Sequence, residues 1–161
     1  MDAPIPESQP IIPKDRKVTK TIISTPNSYK PVGPYSQAIL ADNTLYVSGV
    51  LGMDAQSQLV AGGAEGQTRQ ALMNLKVILQ AGGASIESVV KTTILLSKME
   101  DFPLVNQIYS EFFTKDCPAR ATFQVGKLPL EAAVEIEAIA LSGDLTLAEV
   151  GPCPCEPAKT E

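Results

Sequence analysis

The sequence predicts an α+β fold in which one β-sheet is covered on a single face by two helices. Strand-like stretches and helical segments follow one another in the order β-β-β-α-β-α-β-β, which is not the strict alternation of a parallel α/β protein. Two segments show apolar residues at the spacing of an amphipathic helix. A third stretch, 88–98, is apolar on both faces, as a buried central strand would be.

The first half of the body contains three predicted strands. Residues 18–25 (VTKTIIST) are rich in β-branched side chains, and residues 37–41 and 44–49 follow after an irregular loop. The Asp-Asn pair at 42–43 predicts a tight hairpin between the second and third strands. Residues 51–63 are interpreted as a loop, so the third strand should end at a Ser-Gly pair.

The two helices are defined by apolar periodicity and by their end signals. The first is predicted over 65–81, where Gly82 and Gly83 end it. The second should begin at Asp101 as its N-cap, with Pro103 tolerated in the first turn. The apolar stripes consist of Ala71, Leu72, Leu75, Ile78 and Leu79 in the first helix and of Val105, Ile108, Tyr109 and Phe112 in the second.

The last two strands, 120–125 (RATFQV) and 133–141 (AVEIEAIAL), alternate in character. Strand geometry places Arg120, Thr122 and Gln124 on one face, and Glu135 and Glu137 together on a face opposite apolar neighbours. Two helices on one side leave the other face of the sheet uncovered, although it carries largely apolar groups. We therefore expect this face to be buried against copies of the same chain in a homo-oligomer.

Composition excludes several classes of function. The net charge of −5 argues against a general nucleic-acid-binding surface, and no apolar run is long enough for a membrane helix. The chain has no histidine, which removes serine–histidine and cysteine–histidine catalysis and histidine-based zinc sites. Acid–base chemistry would have to use carboxylates, tyrosine, lysine, thiols or water.

The two ends differ from the body. Residues 1–17 and 147–161 are proline-rich or aperiodic and are expected to be disordered, which leaves one folded domain at 18–146. The three cysteines, Cys117, Cys153 and Cys155, do not form a disulfide framework, and no metal site is expected. No secretory signal or transit peptide is recognised, which favours the cytosol and leaves a mitochondrial or nuclear pool open.

Arg120 is the first candidate for function, because no acidic residue follows it within ten positions. One interpretation is a structural salt bridge to Glu135 or Glu137. The other is a fixed guanidinium that grips a carboxylate or phosphate in a bidentate manner.

Four further residues each have a structural and a functional interpretation. Tyr35, in a loop stiffened by proline, is either a core tyrosine or a site residue. Ser48 and Gly49 are either an ordinary turn or a hydroxyl and a backbone N–H that face a ligand. Asn106 lies off the apolar stripe of the second helix and is either a solvated amide or a ligand contact.

Six motifs together resemble the RidA (YjgF) family of reactive-intermediate deaminases, in the order and spacing of that family. They are GPYSQA, LYVSG, VVKTTILL, VNQIYSEFF, PARATFQVGKLP and VEIEAIA, and they extend from about Lys20 to Gly143. The resemblance is greatest to the animal branch, which has also been described as a translation-inhibiting ribonuclease.

The resemblance implies a chorismate-mutase-like mixed sheet that assembles as a barrel-like homotrimer with clefts between subunits. It also implies hydrolysis of 2-iminobutanoate and 2-iminopropanoate, released by pyridoxal-phosphate enzymes, to 2-keto acids and ammonia. No metal or organic cofactor is implied. The alternatives are an RNA-cleaving translation inhibitor and a non-catalytic metabolite-binding or chaperone-like trimer.

The family's site residues fall on positions singled out above. The resemblance assigns the substrate carboxylate to Arg120 and the water to Glu135. It assigns the remaining contacts to Tyr35, Ser48, Gly49 and Asn106. Two positions depart from the common family pattern: Val50 replaces a glutamine and Thr122 replaces a cysteine. The first is expected to change the cleft wall and its substrate range. The second indicates either that no thiol nucleophile is needed or that this chain has lost a redox-sensitive thiol.

Overall fold

Residues 17–148 are described by a computed structural model and contain six strands and two helices. The elements are β1 (Lys20–Ile23), β2 (Ala38–Ala41), β3 (Thr44–Leu51), α1 (Gly63–Ala81), β4 (Val89–Leu96), α2 (Phe102–Phe112), β5 (Ala119–Gln124) and β6 (Val134–Leu141). Their order confirms the predicted α+β class. The terminal segments expected to be disordered, and the Cys-Pro-Cys of the tail, lie outside the described residues, apart from residues 17, 147 and 148.

The strands form a single mixed sheet in the order β1-β2-β3-β6-β4-β5. All neighbouring strands are antiparallel except β4 and β5, whose parallel pairing is possible because α2 serves as the crossover between them. The last strand in sequence, β6, lies between β3 and β4 and joins the two parts of the sheet. Its central position explains the apolar character of that strand.

Both helices pack on one face of the sheet, as predicted. Val47, Ala138 and Thr92 are neighbours in register across β3, β6 and β4, and all three are buried on this face. The hydroxyl of Tyr109 on α2 lies 2.8 Å from Thr92 Oγ1. Burial of each large apolar side chain in this layer is worth about 1.5–3 kcal/mol. The predicted stripe of α1 is buried throughout.

The start of α2 differs from the prediction. Asp101 occupies the N-cap position, but its side chain makes no capping hydrogen bond. The reason is a short 3-10 turn, Met99–Asp101, that leads directly into α2 and gives Asp101 helical backbone angles (φ −78°, ψ −8°). A side-chain cap requires an extended backbone at that position.

The end of β3 also differs. The strand continues to Leu51, and the register of its pairing with β6 shifts between Val47 and Val50. Ser48 and Gly49 therefore lie in a β-bulge inside the strand instead of at its end. The continuation is stabilised because Val50 and Leu51 are both buried. Bulges of this kind re-aim side chains next to functional sites.

The second face of the sheet, which we call the open face, is not covered by any helix of residues 17–148. Ile22, Ile39, Tyr46 and Ile139 form a continuous row across four strands of this face. Tyr46 is 50% exposed, and Phe123 on β5 is 55% exposed. The uncovered apolar face predicted from the sequence is present. No helix within the described range has the length and apolar content needed to span a membrane.

Candidate functional site

The loop before β2 is held by one buried amide, Gln37. Its Oε1 accepts a hydrogen bond from Thr25 N at 2.6 Å, and its Nε2 donates to Thr25 O at 3.2 Å and to Tyr29 O at 2.8 Å. This bonding fixes the loop that carries Tyr35. The ring of Tyr35 is 43% exposed, and its hydroxyl accepts from Val32 N at 3.2 Å. The interpretation of Tyr35 as a core residue is therefore wrong.

The bulge in β3 is anchored to the same loop. Ser48 Oγ donates to Ser36 O at 2.7 Å, and Ser48 N donates to Gln37 O at 3.1 Å. Tyr35, Ser48 and Gly49 line a common small cavity of about 10 Å³. Three of the predicted site residues are thus brought together.

Glu135 rests against Gly49. A Cβ atom at position 49 would lie 1.7 Å from Glu135 Oε1, so the carboxyl occupies the space that a side chain would need. Burial raises the pKa of Glu135, and the neighbouring charge of Glu137 raises it further. Tyr35, Ser48, Gly49 and Glu135 are called the bulge cluster below.

Arg120 lies elsewhere, between β5 and α2. Its guanidinium carbon is 4.9 Å from the ring centroid of Tyr109 and 5.8 Å from that of Phe102. No ion pair within residues 17–148 includes Arg120. The predicted salt bridge to Glu135 or Glu137 is therefore not formed in this chain, and the polar edge of the guanidinium is available to a ligand.

Asn106 accompanies Arg120. The spacing of Phe102, Asn106 and Tyr109 places them on one side of α2, the side that faces Arg120. The Oδ1 atom of Asn106 is buried and has no hydrogen-bond partner in the part of the chain that the structure describes, so the solvated-amide interpretation is wrong for this atom. Thr122 Oγ1 is likewise buried without a hydrogen-bond partner among the described residues. Buried polar atoms are normally hydrogen-bonded, and a ligand bound at this position would supply partners for both atoms. Asn106 and Arg120 are called the arginine cluster.

The two clusters do not meet in one chain. Glu135, Leu95 and Phe123 are in register across β6, β4 and β5, and Arg120 is three residues from Phe123. Successive side chains of a strand alternate between the two faces, so an offset of three residues places Arg120 and Glu135 on opposite faces of the sheet. Strand spacing and rise separate their Cα atoms by roughly 14 Å. A cleft that uses both side chains needs a second copy.

Comparison with known proteins identifies the family. The endoribonuclease L-PSP family matches residues 25–142, which is most of the described chain. This chain belongs to the endoribonuclease L-PSP family. The matched range contains every residue of both clusters.

Among members of the endoribonuclease L-PSP family, a human protein named 2-iminobutanoate/2-iminopropanoate deaminase is 48% identical over 132 residues, which cover 81% of this chain and 96% of the human protein. The crystal structure of E. coli TdcF with bound serine has a TM-score of 0.73 at 31% identity and covers 76% of this chain and 99% of TdcF. The YjgF gene product of E. coli has a TM-score of 0.71 at 35% identity, covering 75% of this chain and 98% of that protein. The similarity to the RidA (YjgF) family seen in the sequence is confirmed.

Sequence reasoning missed the residues that support the site of this family member. Gln37 holds the loop, Tyr29 contacts the bulge, and Tyr109 lies under the guanidinium. The sequence pattern indicates Tyr109 only as a member of the apolar stripe of the second helix. A buried polar group such as Gln37 leaves no periodic signal, because its partners are distant backbone atoms.

Proposed function

We propose that this chain hydrolyses small 2-imino acids to 2-keto acids and ammonia, in a cleft formed by two copies of the chain. The proposal rests on two groups, one in each cluster. Arg120 has no carboxylate partner among residues 17–148, and Glu135 is half-buried and has a raised pKa. The name of the human relative supports the reaction, and the serine in TdcF supports a small amino-acid-like ligand.

The arginine cluster binds the substrate. Arg120 grips the carboxylate with two parallel N–H groups, a geometry that only a planar guanidinium provides. The rings of Tyr109 and Phe102 hold the guanidinium in place by cation–π contacts, so little side-chain entropy is lost on binding. The Oδ1 atom of Asn106 accepts an N–H from the imine nitrogen.

The bulge cluster supplies the water. The imine carbon is electrophilic once its nitrogen is protonated, so hydrolysis needs a positioned water more than a strong nucleophile. Glu135 takes a proton from this water as oxygen bonds to carbon, and returns it to the nitrogen, so that the C–N bond can break. As the carbonyl forms, the hydroxyl proton of the intermediate passes to the departing ammonia, which leaves as ammonium. Its raised pKa makes it a better base than an exposed glutamate. Ser48 and the Gly49 backbone hold the hydroxyl of the intermediate. No metal or organic cofactor enters these steps.

A homotrimer provides the second copy. The open face carries a depression of about 250 Å³, and the apolar row continues beyond it through Ile39 and Ile22. The lining of the depression includes Tyr46, Lys91, Thr93, Glu137 and Ile139. Closing three such faces around an axis removes this surface from water and gives each copy two neighbours. Each cleft then takes its arginine cluster from one copy and its bulge cluster from the next.

The proposed reaction is tested by generating the imine in place. A threonine or serine dehydratase releases 2-iminobutanoate or 2-iminopropanoate, and its decay is followed with and without this protein. We expect faster formation of the 2-keto acid in proportion to added protein. A decay rate that does not change would contradict the proposal.

The shared cleft is tested by complementation. Arg120→Ala and Glu135→Gln should each be inactive alone, because each removes one cluster. Random co-assembly of equal amounts should restore about one quarter of the clefts, since each needs an intact cluster from two different chains. If both clusters belonged to the same chain, no activity would return.

RNA cleavage is the second candidate, and the description of the family favours it. The net charge of −5 and the absence of histidine argue against RNA as the main substrate. When wild type and Glu135→Gln are incubated with single-stranded RNA, we expect no cleavage that depends on Glu135, so the two proteins should give the same result.

A further inference from the structure

We infer that Tyr29 is a positioning residue for the proposed imine hydrolysis: its hydroxyl holds the bulge of β3 in the shape that seats the carboxyl of Glu135. This inference rests on the proposed function and extends it to a residue outside both clusters. Tyr29 lines the small cavity that Tyr35, Ser48 and Gly49 share, but it is not among the groups that contact the substrate in the proposed steps. It is 5% exposed, and its own carbonyl is bound by Gln37.

One phenol contacts both ends of the bulged segment. Leu51 N donates a hydrogen bond to the Tyr29 hydroxyl at 2.9 Å, and the same hydroxyl lies 3.5 Å from Gly49 O, to which it donates. Burial raises the pKa of Tyr29 to about 12, so the phenol keeps its proton across the physiological range. The group therefore works as a neutral hydrogen-bonding group and not as a base.

The bulged segment needs this support because β2 ends too early to provide it. β2 pairs with β3 only from Thr44 to Val47. Beyond that point no strand of residues 17–148 lies beside the outer edge of β3, although Leu51 is buried. An unpaired buried N–H costs about 1–3 kcal/mol, so a side chain must take the place of the missing strand. Tyr29 binds Leu51 N, and Asn74 Nδ2 on α1 donates to Leu51 O at 3.1 Å.

The two residues that Tyr29 holds are the two that position Glu135. Leu51 is the cross-strand partner of Glu135 in the β3–β6 pairing. Gly49 provides the space that the carboxyl fills. A shift of the segment Gly49–Leu51 therefore moves the catalytic carboxyl. It does not move Arg120, which lies on the other face of the sheet.

This arrangement predicts a separation of kinetic constants in Tyr29→Phe, which keeps the ring and removes only the hydroxyl. We expect kcat to fall by about tenfold or more, because misplacement of a catalytic group by an ångström costs up to about a hundredfold. KM should change by less than about twofold, because the arginine cluster is untouched. Ser110→Ala, which removes an exposed hydroxyl of α2 that belongs to neither cluster nor to the open face, is the control and should resemble the wild type.

A second measurement does not depend on turnover. Carboxyl ¹³C NMR titration, with the Glu135 signal assigned by its absence in Glu135→Gln, should show the raised pKa of this group in the wild type. In Tyr29→Phe the carboxyl becomes better solvated, and its pKa should move down towards the ordinary glutamate value. Glu137 acts on the charge of Glu135, and Glu135 in turn acts on Tyr29, so of these groups only Tyr29 is changed. Ser110→Ala should leave the titration as it is.

The outcomes separate the inference from the function on which it rests. A wild-type protein without imine turnover would contradict the proposed function, and the NMR titration would still decide whether Tyr29 positions Glu135. An active wild type with kcat of Tyr29→Phe within twofold, or with the loss confined to KM, would overturn the inference. So would an unchanged Glu135 titration in Tyr29→Phe. Thermal melting of each variant shows that it is folded at the assay temperature.

Discussion

The guanidinium of Arg120 lies over the ring of Tyr109, with 4.9 Å between its central carbon and the ring centroid. The ring is itself fixed, because the Tyr109 hydroxyl lies 2.8 Å from the buried Thr92 Oγ1. A cation held by an aromatic face keeps its N–H edge free, whereas a cation held by a carboxylate does not. Arg120 is therefore placed for an anion that this chain does not supply within residues 17–148.

The first prediction concerns Arg120. Arg120→Lys keeps the charge but loses the planar fork, so imine hydrolysis should fall at least about tenfold, and Arg120→Ala should fall further. Neither change should cost more than about 2 kcal/mol of stability, because only exposed cation–π contacts are lost. Lys127→Ala, which removes a nearby exposed cation, is the control for net charge. A loss of about 3–5 kcal/mol in Arg120→Ala would instead indicate a structural ion pair.

The second prediction is that Glu135→Gln abolishes turnover and stabilises the fold at neutral pH. The pKa of Glu135 is raised in the folded chain, so its proton is bound more tightly in the folded state. The stabilisation from this group is present at low pH and is lost as the pH rises through the folded pKa. Glutamine cannot ionise, so Glu135→Gln keeps an uncharged side chain, the form that the folded state favours, at every pH. The gain should stay below about 1 kcal/mol because the carboxyl is only half-buried. A lower melting temperature for Glu135→Gln at pH 7 would contradict this reasoning.

The third prediction concerns the pH dependence of kcat/KM. Glu135 must be ionised to accept a proton from water, so activity should fall on the acid side with a midpoint above 4.5, the ordinary value for glutamate. Glu137→Gln removes the second cause of the raised pKa and should shift this midpoint to lower pH. If the fall in kcat/KM at low pH were unchanged in Glu137→Gln, that fall would have to be assigned to a group other than Glu135.

The fourth prediction concerns Gly49. Gly49→Ala would place a methyl group where the carboxyl of Glu135 now lies, and the carboxyl would have to swing away. Because the displaced group is the end of a flexible side chain, the cost in stability should be within about 1 kcal/mol, while imine hydrolysis should be largely lost. Gly126→Ala is a matched control, since nothing lies within 4 Å of a Cβ there. Full activity in Gly49→Ala would show that the carboxyl works from another position.

The fifth prediction is that the chain ends are dispensable. Removal of residues 1–17 and 152–161 should leave the melting temperature within about 2 °C and imine hydrolysis nearly unchanged, since their composition does not favour a packed structure. Each deletion made separately locates any effect. A large loss from either would show that this segment contributes to the core or to the cleft.

Periodicity predicted the elements well, because it records which side chains are buried. The two helices, the stripe of α1 and the alternation around Glu135 all follow from it. In the predicted stripe of α2, Val105, Ile108 and Tyr109 are buried but Phe112 is only partly buried, because the chain turns at the end of the helix and buries Phe113 instead. Periodicity could not predict the bulge at Ser48 and Gly49, which depends on the register between two strands that are distant in sequence. It also could not predict that Arg120 and Glu135 lie on opposite faces, because face assignment between strands requires the sheet order.

The central position of β6 has a consequence for biosynthesis. Within the sheet, β1–β3 and β4–β5 are connected only through this strand, which is the last one to be translated. A nascent chain that ends before Val134 therefore holds two separate apolar half-sheets, each with an exposed edge. Long-range pairing of this kind is slow and prone to aggregation while it is incomplete. A stop codon shortly before β6 should thus yield insoluble protein, whereas one placed after Leu147 should not.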